Sequence, residues 1–423
     1  MLKAIEKVFN VAMLFYMTGA VFPSIVAFAA SRSAPAEAGL QVAFYTATAC
    51  FIALRWRMFL RGAWNAKWIV ALAVVVVASS AWSQEPTLTL KSSLLFLAAT
   101  LYGVYFGSRY TVQDQLRLVG WACALMILSS FLVVILLPKY GLDHRFFGAW
   151  QGAFLHKNQL GRAMVLSVLV FHFLRKSVPN WIRWLGMGGS LCLLALSQSV
   201  SGPLVLAAII VVVLLVKLLK KLLRQRFTFS IPILVAVSLP ATVTALVLAA
   251  RMPYLLKLLG RDSTLTGRVY LWEAVLQSIA KHPWLGYGFD AFWTNLHGES
   301  VSIIATMGWI PAHAHNFFLD LMLGVGALGL AVFVIGYILL CWRAVQIIKR
   351  ITGPAPLWLF AYLVLMVACN LDESYLQLQY NLFWVLYAST AVCISRYAPV
   401  PSGHRSHLPQ QVIFPEQLGV GYS

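Results

Sequence analysis

Charged side chains are scarce in this sequence of 423 residues, where they make up 11% of the chain against 61% for hydrophobic residues. Soluble globular domains have about a quarter of their residues charged and about half apolar. The shortage of charge therefore excludes an ordinary water-soluble domain and predicts a polytopic membrane protein.

Cysteine pairs and acidic clusters are also lacking. All six cysteines fall inside apolar runs, without the spacing of a disulfide framework or a metal site, which indicates small buried hydrophobic residues. Asp372 and Glu373 form an adjacent acidic pair that could serve a metal ion, but no histidine stands next to them in the sequence. The sequence therefore predicts neither a metal nor a cofactor.

Long apolar runs dominate the chain instead. A membrane-spanning helix needs roughly 20 apolar residues, and twelve candidate spans can be drawn, several of them short or adjacent. They are 8–30, 39–54, 68–82, 93–107, 117–137, 159–174, 184–199, 203–219, 228–250, 316–341, 356–371 and 379–395. Because backbone polar groups cannot be left unpaired in lipid, the predicted fold class is an all-α polytopic membrane protein with about 12 transmembrane helices.

Lysine and arginine are distributed unevenly along the chain. With the amino terminus inside, the predicted cytoplasmic segments carry 21 of the 32 basic residues, and the segment 217–226 is the strongest anchor. Basic residues favour the cytoplasmic side, so both termini are predicted to be cytoplasmic. The net charge of +19 then follows from topology, and nucleic-acid binding is not needed to explain it.

The predicted spans divide the chain into four parts. These are nine helices in 1–250, a large outward-facing loop in 251–315, three helices in 316–396 and a cytoplasmic tail in 397–423.

One segment of the large loop has a helical pattern. Leu271, Val275 and Ile279 repeat with helical spacing, and His282–Pro283 ends the pattern. A helix from about Thr266 to Lys281 is therefore predicted, on the bilayer surface.

Nine basic residues cluster on the predicted outer face, against the usual charge bias. They could hold a pyrophosphate headgroup or bind anionic lipid headgroups. For most of them the lipid alternative is favoured, whereas Lys157, Arg162 and Arg268 favour the pyrophosphate, because an unpaired charge at the membrane boundary is costly. The nine are Lys139, Arg145, Lys157, Arg162, Arg251, Lys257, Arg261, Arg268 and Lys281.

Two polar segments open predicted spans on the same face. In "HKNQLGR" at 156–162, helical spacing puts Asn158 and Arg162 on one side, although a capping Asn with snorkelling cations would have the same pattern. His315 and Asn316 open the next span. The imidazole could act as a general base towards a hydroxyl, or it could lie in the interfacial belt with Asn316 as the helix cap; the residues alone leave both alternatives open.

These segments resemble the O-antigen ligase and polysaccharide polymerase family. "HNFFLDLMLGVGALG" resembles the family's His-Asn pair followed by Gly-x-x-Gly, through His315, Asn316, Gly326 and Gly329. "FLHKNQLGR" is similar to its Lys-Asn-x-x-Gly element, through Lys157, Asn158 and Gly161.

The loop and an earlier turn extend the resemblance. "TGRVYLWEAVLQSIAKHPWLGYGFDAFW" is similar to the family's Arg-x-x-x-Trp and Pro-x-x-Gly-x-Gly element, through Arg268, Trp272, Pro283, Gly286 and Gly288. "AWSQEP" at 81–86 is similar to a Trp-Ser…Pro turn of the exopolysaccharide (succinoglycan-type) polymerase branch. In the family's order, the four elements cover about 80 to 330.

The resemblance implies a bacterial inner-membrane glycosyltransferase of the multi-helix C-type architecture. Such enzymes use undecaprenyl-pyrophosphate-linked glycans as donors; polymerases extend the chain by a repeat unit, and ligases move it to lipid A core. The partners implied are the lipid-linked glycan donor and acceptor and membrane lipids, with chain-length and export proteins as further candidates and no nucleic acid.

The resemblance also implies roles for single residues. Arg268 and His315 are the predicted catalytic residues, and His315 would activate the acceptor hydroxyl without a metal. The residues predicted to bind pyrophosphate or glycan are Lys157, Asn158, Arg162, Arg145, Asn316 and Trp272.

Three alternatives remain at this stage. Polymerisation of exopolysaccharide is favoured over O-antigen ligation, since the 81–86 and 156–162 likenesses belong with the polymerases. A transporter of lipid-linked sugars is less favoured, because transporters carry ionisable groups near the bilayer midplane and the predicted span interiors are almost free of charge. A non-catalytic scaffold of an export complex is the third alternative.

Overall fold

The computed structural model describes residues 1–20, 33–146, 148–175, 177–222, 266–293, 298–309, 311–371, 373–374 and 381–397. Most of these residues are helical, and the sheet found among them has two short strands. The predicted span 228–250, residues 251–265 of the large loop and the tail from 398 lie outside the described residues.

Helices follow one another through the amino-terminal part of the chain. They are α1 (Leu2–Met17), α2 (Ser33–Leu54), α3 (Trp56–Asn65), α4 (Lys67–Ala78), α5 (Pro86–Arg109), α6 (Val112–Leu136) and the short α7 (Pro138–Gly141). A hairpin of β1 (Leu142–Asp143) and β2 (Ala149–Trp150) comes next, with antiparallel pairing of Leu142 with Trp150.

The remaining helices carry most of the candidate site. They are α8 (Lys157–Phe173), α9 (Asn180–Leu196), α10 (Ser201–Leu222), α11 (Thr266–Lys281), α12 (Ser300–Met307), α13 (Phe317–Arg350), α14 (Pro354–Leu371) and α15 (Leu382–Arg396).

Five helices in the described part of the chain are long and apolar enough to cross a membrane, or six if the pair α2 and α3, bent by 99°, counts as one span. The five are Pro86–Arg109, Val112–Leu136, Ser201–Leu218, Phe317–Arg350 and Pro354–Leu371. The multi-pass membrane character is thus confirmed. Two other predicted spans, 68–82 and 379–395, form apolar helices that are too short for this criterion, so the number of about 12 stays a prediction.

Buried polar contacts fix α15 against its neighbours. The fully buried Trp384 donates its indole N–H to the hydroxyl of Thr100 on α5, at 2.8 Å. Ser389 donates to the side-chain oxygen of Gln115 on α6, at 2.6 Å. Because buried polar groups are costly without partners, each contact selects one register of α15.

Helix α11 has the bounds that its sequence pattern predicts. Leu271, Val275 and Ile279 are 0%, 0% and 7% exposed. They form a hydrophobic cluster with Tyr287 and Leu323, apart from the main core. The apolar stripe of α11 therefore packs against the segment that follows it and against α13.

Helix α13 is interrupted at Gly326, where φ is +63° and ψ is −166°. The interruption frees backbone groups of α13, and the segment 283–288 ("PWLGYG") pairs with them. Four backbone hydrogen bonds join the two: Tyr287 N to Leu323 O (2.7 Å), Gly288 N to Gly324 O (2.9 Å), Ala327 N to Pro283 O (2.8 Å) and Leu328 N to Trp284 O (3.2 Å).

The predicted turn at 81–86 contacts the segment 283–288 at the place where that segment crosses α13. Trp82 donates its indole N–H to the carbonyl of Leu285 at 2.8 Å, and the backbone N–H of Gln84 bonds to the carbonyl of Tyr287 at 3.0 Å. Three of the four sequence elements, from the turn, the loop and α13, therefore meet through backbone hydrogen bonds.

Candidate functional site

The carboxylate of Glu373, between α14 and α15, is the centre of the candidate site. One oxygen, Oε2, accepts from Nη2 of Arg162 at 3.0 Å. The other oxygen, Oε1, accepts from Nδ1 of His315 and lies 3.4 Å from Nε2 of His313. Three segments that are far apart in the sequence thus meet at one side chain.

Arg162 reaches Glu373 from within α8. Its side chain is 0% exposed, and that of Glu373 is 12% exposed. A buried charge is tolerated when it is paired and hydrogen-bonded, so the ion pair explains why a guanidinium can lie in an apolar helix. The structure thus gives Arg162, predicted to support pyrophosphate binding, a carboxylate as its partner.

The pKa of Glu373 reflects this pairing. Burial alone would raise it, but the positive charge of Arg162, the hydrogen bond from His315 and the neighbouring His313 hold the pKa well below the usual value. Glu373 is therefore an anion at neutral pH.

Asp320, in the first turn of α13, fixes the backbone that leads to His315. Its oxygens accept the backbone N–H of Ala314, both at 3.0 Å, and the indole N–H of Trp293 at 2.7 Å. It also accepts from the hydroxyl of Ser374, the residue next to Glu373. Asp320 thereby ties the histidine segment and the glutamate segment to the start of the same helix.

His315 has a left-handed backbone conformation, with φ of +53°. Such a conformation costs a residue with a side chain about 1–2 kcal/mol, so its surroundings must hold it. The backbone N–H of His315 bonds to Nδ1 of His313 at 3.1 Å, and the two rings lie edge to face with centroids 4.3 Å apart. The imidazole of His315 is 24% exposed, so it remains accessible from outside the protein.

His313 was not singled out from the sequence. Because its Nδ1 accepts a backbone N–H, the proton of the neutral ring is assigned to Nε2, which faces Glu373. Burial, together with the positive charges of Arg162 and Arg268, lowers the pKa of His313 to about 4, and the negative charge of Glu373 offsets part of this effect. His313 is therefore neutral at pH 7.

Asn316 caps α13, as one of the two sequence alternatives proposed. Its Oδ1 accepts the backbone N–H groups of Phe318 at 3.0 Å and Leu319 at 3.3 Å, and its Nδ2 donates to the carbonyl of Leu371 at 3.4 Å. Both polar atoms of the side chain thus have partners within the protein. Any contact of Asn316 with a sugar stays a prediction.

Helix α11 contributes Arg268 and Trp272 to the site. Trp272 is partly buried, and its indole N–H donates to the carbonyl of Ala314 at 2.8 Å. Arg268 is partly exposed, and its positive charge is close enough to lower the pKa of His313. The predicted spacing of four residues, which puts both on one helix face, therefore directs both towards the histidine segment.

Lys157 lies at the start of α8, about one and a half turns before Arg162. Nζ of Lys157 is 4.1 Å from the ring centre of Phe146. At 1.5 Å per residue, Lys157 is about 7.5 Å along the helix axis from Arg162. The helix cap is His156, whose Nδ1 accepts the backbone N–H of Asn158 at 3.2 Å, and not an asparagine as one sequence alternative had it. The side chain of Arg145 lies outside the described residues.

Three side chains of the site have the donor atoms of a metal site. One ligand atom from each of His313, His315 and Glu373 lies within 4.8 Å of the others. No histidine stands next to Glu373 in the sequence; in the structure, His313 and His315 reach it from a segment about sixty residues earlier, which adjacency along the chain cannot reveal. Both oxygens of Glu373 are already bound, however, to Arg162 and His315, which argues against a metal. Metal independence stays a prediction.

Comparisons with known proteins agree with the sequence resemblance. The O-antigen ligase family model matches residues 185–334. "Exopolysaccharide production protein ExoQ" of Rhizobium meliloti (strain 1021) is 26% identical over 275 residues, which is 62% of this chain and 61% of that protein. An O-antigen ligase of Pseudomonas aeruginosa is 30% identical over 110 residues, 25% of this chain and 24% of that protein.

The resemblance is thus confirmed for a large part of the chain. The matched region 185–334 contains Arg268, Trp272, His315 and Asn316, together with the crossing of 283–288 with α13. Neither alignment reaches two thirds of the relative's length, since they span 61% and 24%.

Proposed function

We propose that this chain, whose residues 185–334 match the O-antigen ligase family, is a membrane glycosyltransferase that builds exopolysaccharide. It joins undecaprenyl-pyrophosphate-linked oligosaccharide repeat units on the periplasmic face of the bacterial inner membrane, with both termini in the cytoplasm. The longer of the two alignments, to an exopolysaccharide production protein, supports the polymerase over the ligase.

One observation carries the proposal: a partly exposed imidazole lies among buried and partly buried arginines. The positive charges of Arg162 and Arg268 both lower the pKa of His313, whose ring contacts that of His315. A base beside fixed positive charge suits a reaction that takes a proton from a hydroxyl while a pyrophosphate leaves.

The reaction follows from these groups. Nε2 of His315 takes the proton of the acceptor sugar's hydroxyl as that oxygen attacks the anomeric carbon of the donor. The bond between this carbon and the pyrophosphate oxygen breaks, and the lipid pyrophosphate leaves with the electron pair. Arg268 and Lys157 stabilise the growing negative charge. A preorganised donor of this kind lowers the free energy of the transition state by about 3–4 kcal/mol. Direct displacement inverts the anomeric carbon.

O-antigen ligation is the second candidate, because the shorter alignment is to an O-antigen ligase. Donor and chemistry are the same in both reactions, and the acceptor differs. A ligase would accept lipid A core, whereas a polymerase accepts a second lipid-linked repeat unit.

A single reconstitution separates these functions. Purified protein in detergent or lipid nanodiscs receives lipid-linked repeat unit, either alone or together with lipid A core oligosaccharide. A ladder of products from the repeat unit alone supports the polymerase. Transfer that requires lipid A core supports the ligase, and the absence of any glycosidic product contradicts both.

A further inference from the structure

The contact between Glu373 and His315 has a consequence for the proton on the imidazole. Glu373 is an anion and can only accept, so Nδ1 of His315 must carry the hydrogen of their bond. A neutral imidazole has one N–H, and the proton is then absent from Nε2. The contact therefore selects the tautomer whose Nε2 can take up a proton.

The carboxylate is itself held in place from its other side. Oε2 accepts from the fully buried Arg162, and the adjacent Ser374 is bonded to Asp320. His313 Nε2 lies 3.4 Å from Oε1. Contacts from α8, from the histidine segment and from the first turn of α13 thus converge on residues 373–374, which leaves the carboxylate little freedom.

We propose that Glu373 is the positioning residue of the glycosyl transfer, acting through His315. Its carboxylate orients the ring and keeps the hydrogen on Nδ1, and it stabilises the imidazolium once Nε2 has taken the acceptor's proton. Glu373 stays ionised throughout, and the proton leaves Nε2 for water before the next turnover. The inference rests on the proposed function, since it requires His315 to be the base.

A divalent cation at the same three side chains is the competing arrangement. It would have to replace the hydrogen between Nδ1 and Oε1 and would add positive charge beside Arg162 and Arg268. The ion pair of Arg162 with Glu373 already neutralises the carboxylate that would attract such an ion. The observed contacts therefore favour the positioning role.

The charged and titratable groups around His315 come from five segments. Among the described residues, Glu373 is the acid that contacts its ring, while Asp320 accepts the backbone N–H of Ala314, the residue before His315. The remaining groups are His313 beside the ring, Arg162 behind the carboxylate and Arg268 on α11. Removing the charge of Glu373 would leave His315 surrounded mainly by positive charge.

The test compares the wild-type protein with three variants: Glu373→Gln, Glu373→Asp and the double variant Arg162→Gln with Glu373→Gln. Each is purified in nanodiscs and supplied with lipid-linked repeat unit from a strain that cannot polymerise it. Initial rates are measured together with the melting temperature and the amount of bound zinc. The double variant removes both buried charges, so no unpaired charge remains in the interior. It tests the loss of Glu373 even if Glu373→Gln alone is unstable.

We expect Glu373→Gln to lower the maximal rate by about ten- to a hundredfold. The double variant should have the same slow rate at a restored melting temperature. Glu373→Asp, which keeps the charge, should keep much of the wild-type rate.

Other outcomes overturn the inference and are distinguishable from failure of the proposed function. If the wild-type protein forms no glycosidic product, the proposed function itself is wrong. If it forms polymer while Glu373→Gln has full activity, or while Glu373→Asp is as slow as Glu373→Gln, Glu373 does not position the base. One bound zinc per chain, lost together with activity in Glu373→Gln, would replace the positioning role with a metal site.

Discussion

The indole N–H of Trp272 donates to the main-chain carbonyl of Ala314 across 2.8 Å. Ala314 precedes His315, and the same residue's N–H is bound by Asp320 from the opposite side. One peptide segment is thus held between α11 and α13, directly beside the imidazole. The helix of the large loop therefore positions the histidine as well as presenting Arg268.

Replacement of Trp272 by Phe should weaken the site without unfolding the protein. The variant leaves the carbonyl of Ala314 without its donor, which costs about 1–3 kcal/mol when a buried group is affected. We expect a lower maximal rate in the polymerisation assay at nearly normal abundance. Trp181→Phe, on an exposed position of α9, is the matched control. Equal activity of both variants would contradict the positioning role of Trp272.

Replacement of His315 by Ala should abolish polymer formation. A positioned general base contributes about 10²–10⁴-fold to a rate, so high-molecular-weight polysaccharide should be lost in the native host while the protein remains abundant. His172→Ala is the control, since His172 is exposed and lies on α8 about 15 Å along the axis from Arg162. Normal polymer from the His315 variant at normal abundance would rule out His315 as the base.

Replacement of Arg268 by Lys should lower activity by about tenfold or more. Lysine keeps the positive charge but loses the planar pair of donors that can bind two oxygens of a phosphate at once. Chain length and yield are the measurements. Arg117→Lys, in an exposed pair with Asp114, is the control and should leave both unchanged. Unchanged yield from the Arg268 variant would remove Arg268 from the site.

Local patterns along the chain were sufficient for part of the fold. The stripe of Leu271, Val275 and Ile279 with the stop at His282–Pro283 predicted a helix that the structure has with the same bounds. The periodicity is local, and the side chains that create it are also those that become buried. The number of spans was harder to predict, because two apolar runs form helices shorter than a typical span and a third, 228–250, lies outside the described residues.

Contacts between distant segments were not predictable in the same way. His315 and Arg268 were selected through a family resemblance, and the structure brings both close to His313. Glu373 was considered only as half of an acidic pair, because its partners Arg162 and His315 are far away in sequence. Gly326 was identified only as part of the Gly-x-x-Gly element, whereas the structure interrupts α13 there. An interruption depends on the segment that pairs with it, which one helix pattern does not reveal.

Replacement of Gly326 by Ala should destabilise the crossing of 283–288 with α13. Gly326 has φ of +63°, and a Cβ there would lie 2.3 Å from the backbone of Trp284, which cannot move aside as a flexible side chain would. We expect a clearly lower melting temperature and loss of activity, since the overpacking cost alone is about 1–3 kcal/mol. Gly188→Ala is the control: a Cβ there meets nothing within 4 Å on α9.

The control variant should be neutral or slightly stabilising, because alanine favours a helix by about 1 kcal/mol over glycine. If Gly326→Ala melts at the same temperature as Gly188→Ala, the close approach of the two segments is not required for stability.

Glu6 connects three helices through two arginines. Its carboxylate accepts from Nε and Nη2 of Arg55, at 3.0 and 2.9 Å, and from Nε and Nη2 of Arg109, at 3.0 and 3.1 Å. Tyr105 donates to the same carboxylate at 2.5 Å. Arg55 lies between α2 and α3, where the chain bends by 99°. Glu6 thus fixes that bend to α1 and to the end of α5.

Replacement of Glu6 by Gln should therefore cost more stability than breaking an exposed ion pair. The side chain of Glu6 is 0% exposed, and its loss of charge leaves two arginines, 30% and 23% exposed, close together without a counter-ion. Breaking a buried pair costs about 3–5 kcal/mol, and partial exposure of the arginines puts the expected loss near 3 kcal/mol.

Glu299→Gln provides the same chemical change at an exposed pair, where Glu299 and Lys281 are 2.6 Å apart and 31% and 56% exposed. Such pairs contribute about 1 kcal/mol or less. The melting temperatures of both variants in the same detergent should therefore differ, with Glu6→Gln the lower by several degrees. If the two variants have the same melting temperature, the carboxylate of Glu6 neutralises Arg55 and Arg109 without stabilising the helices that they join.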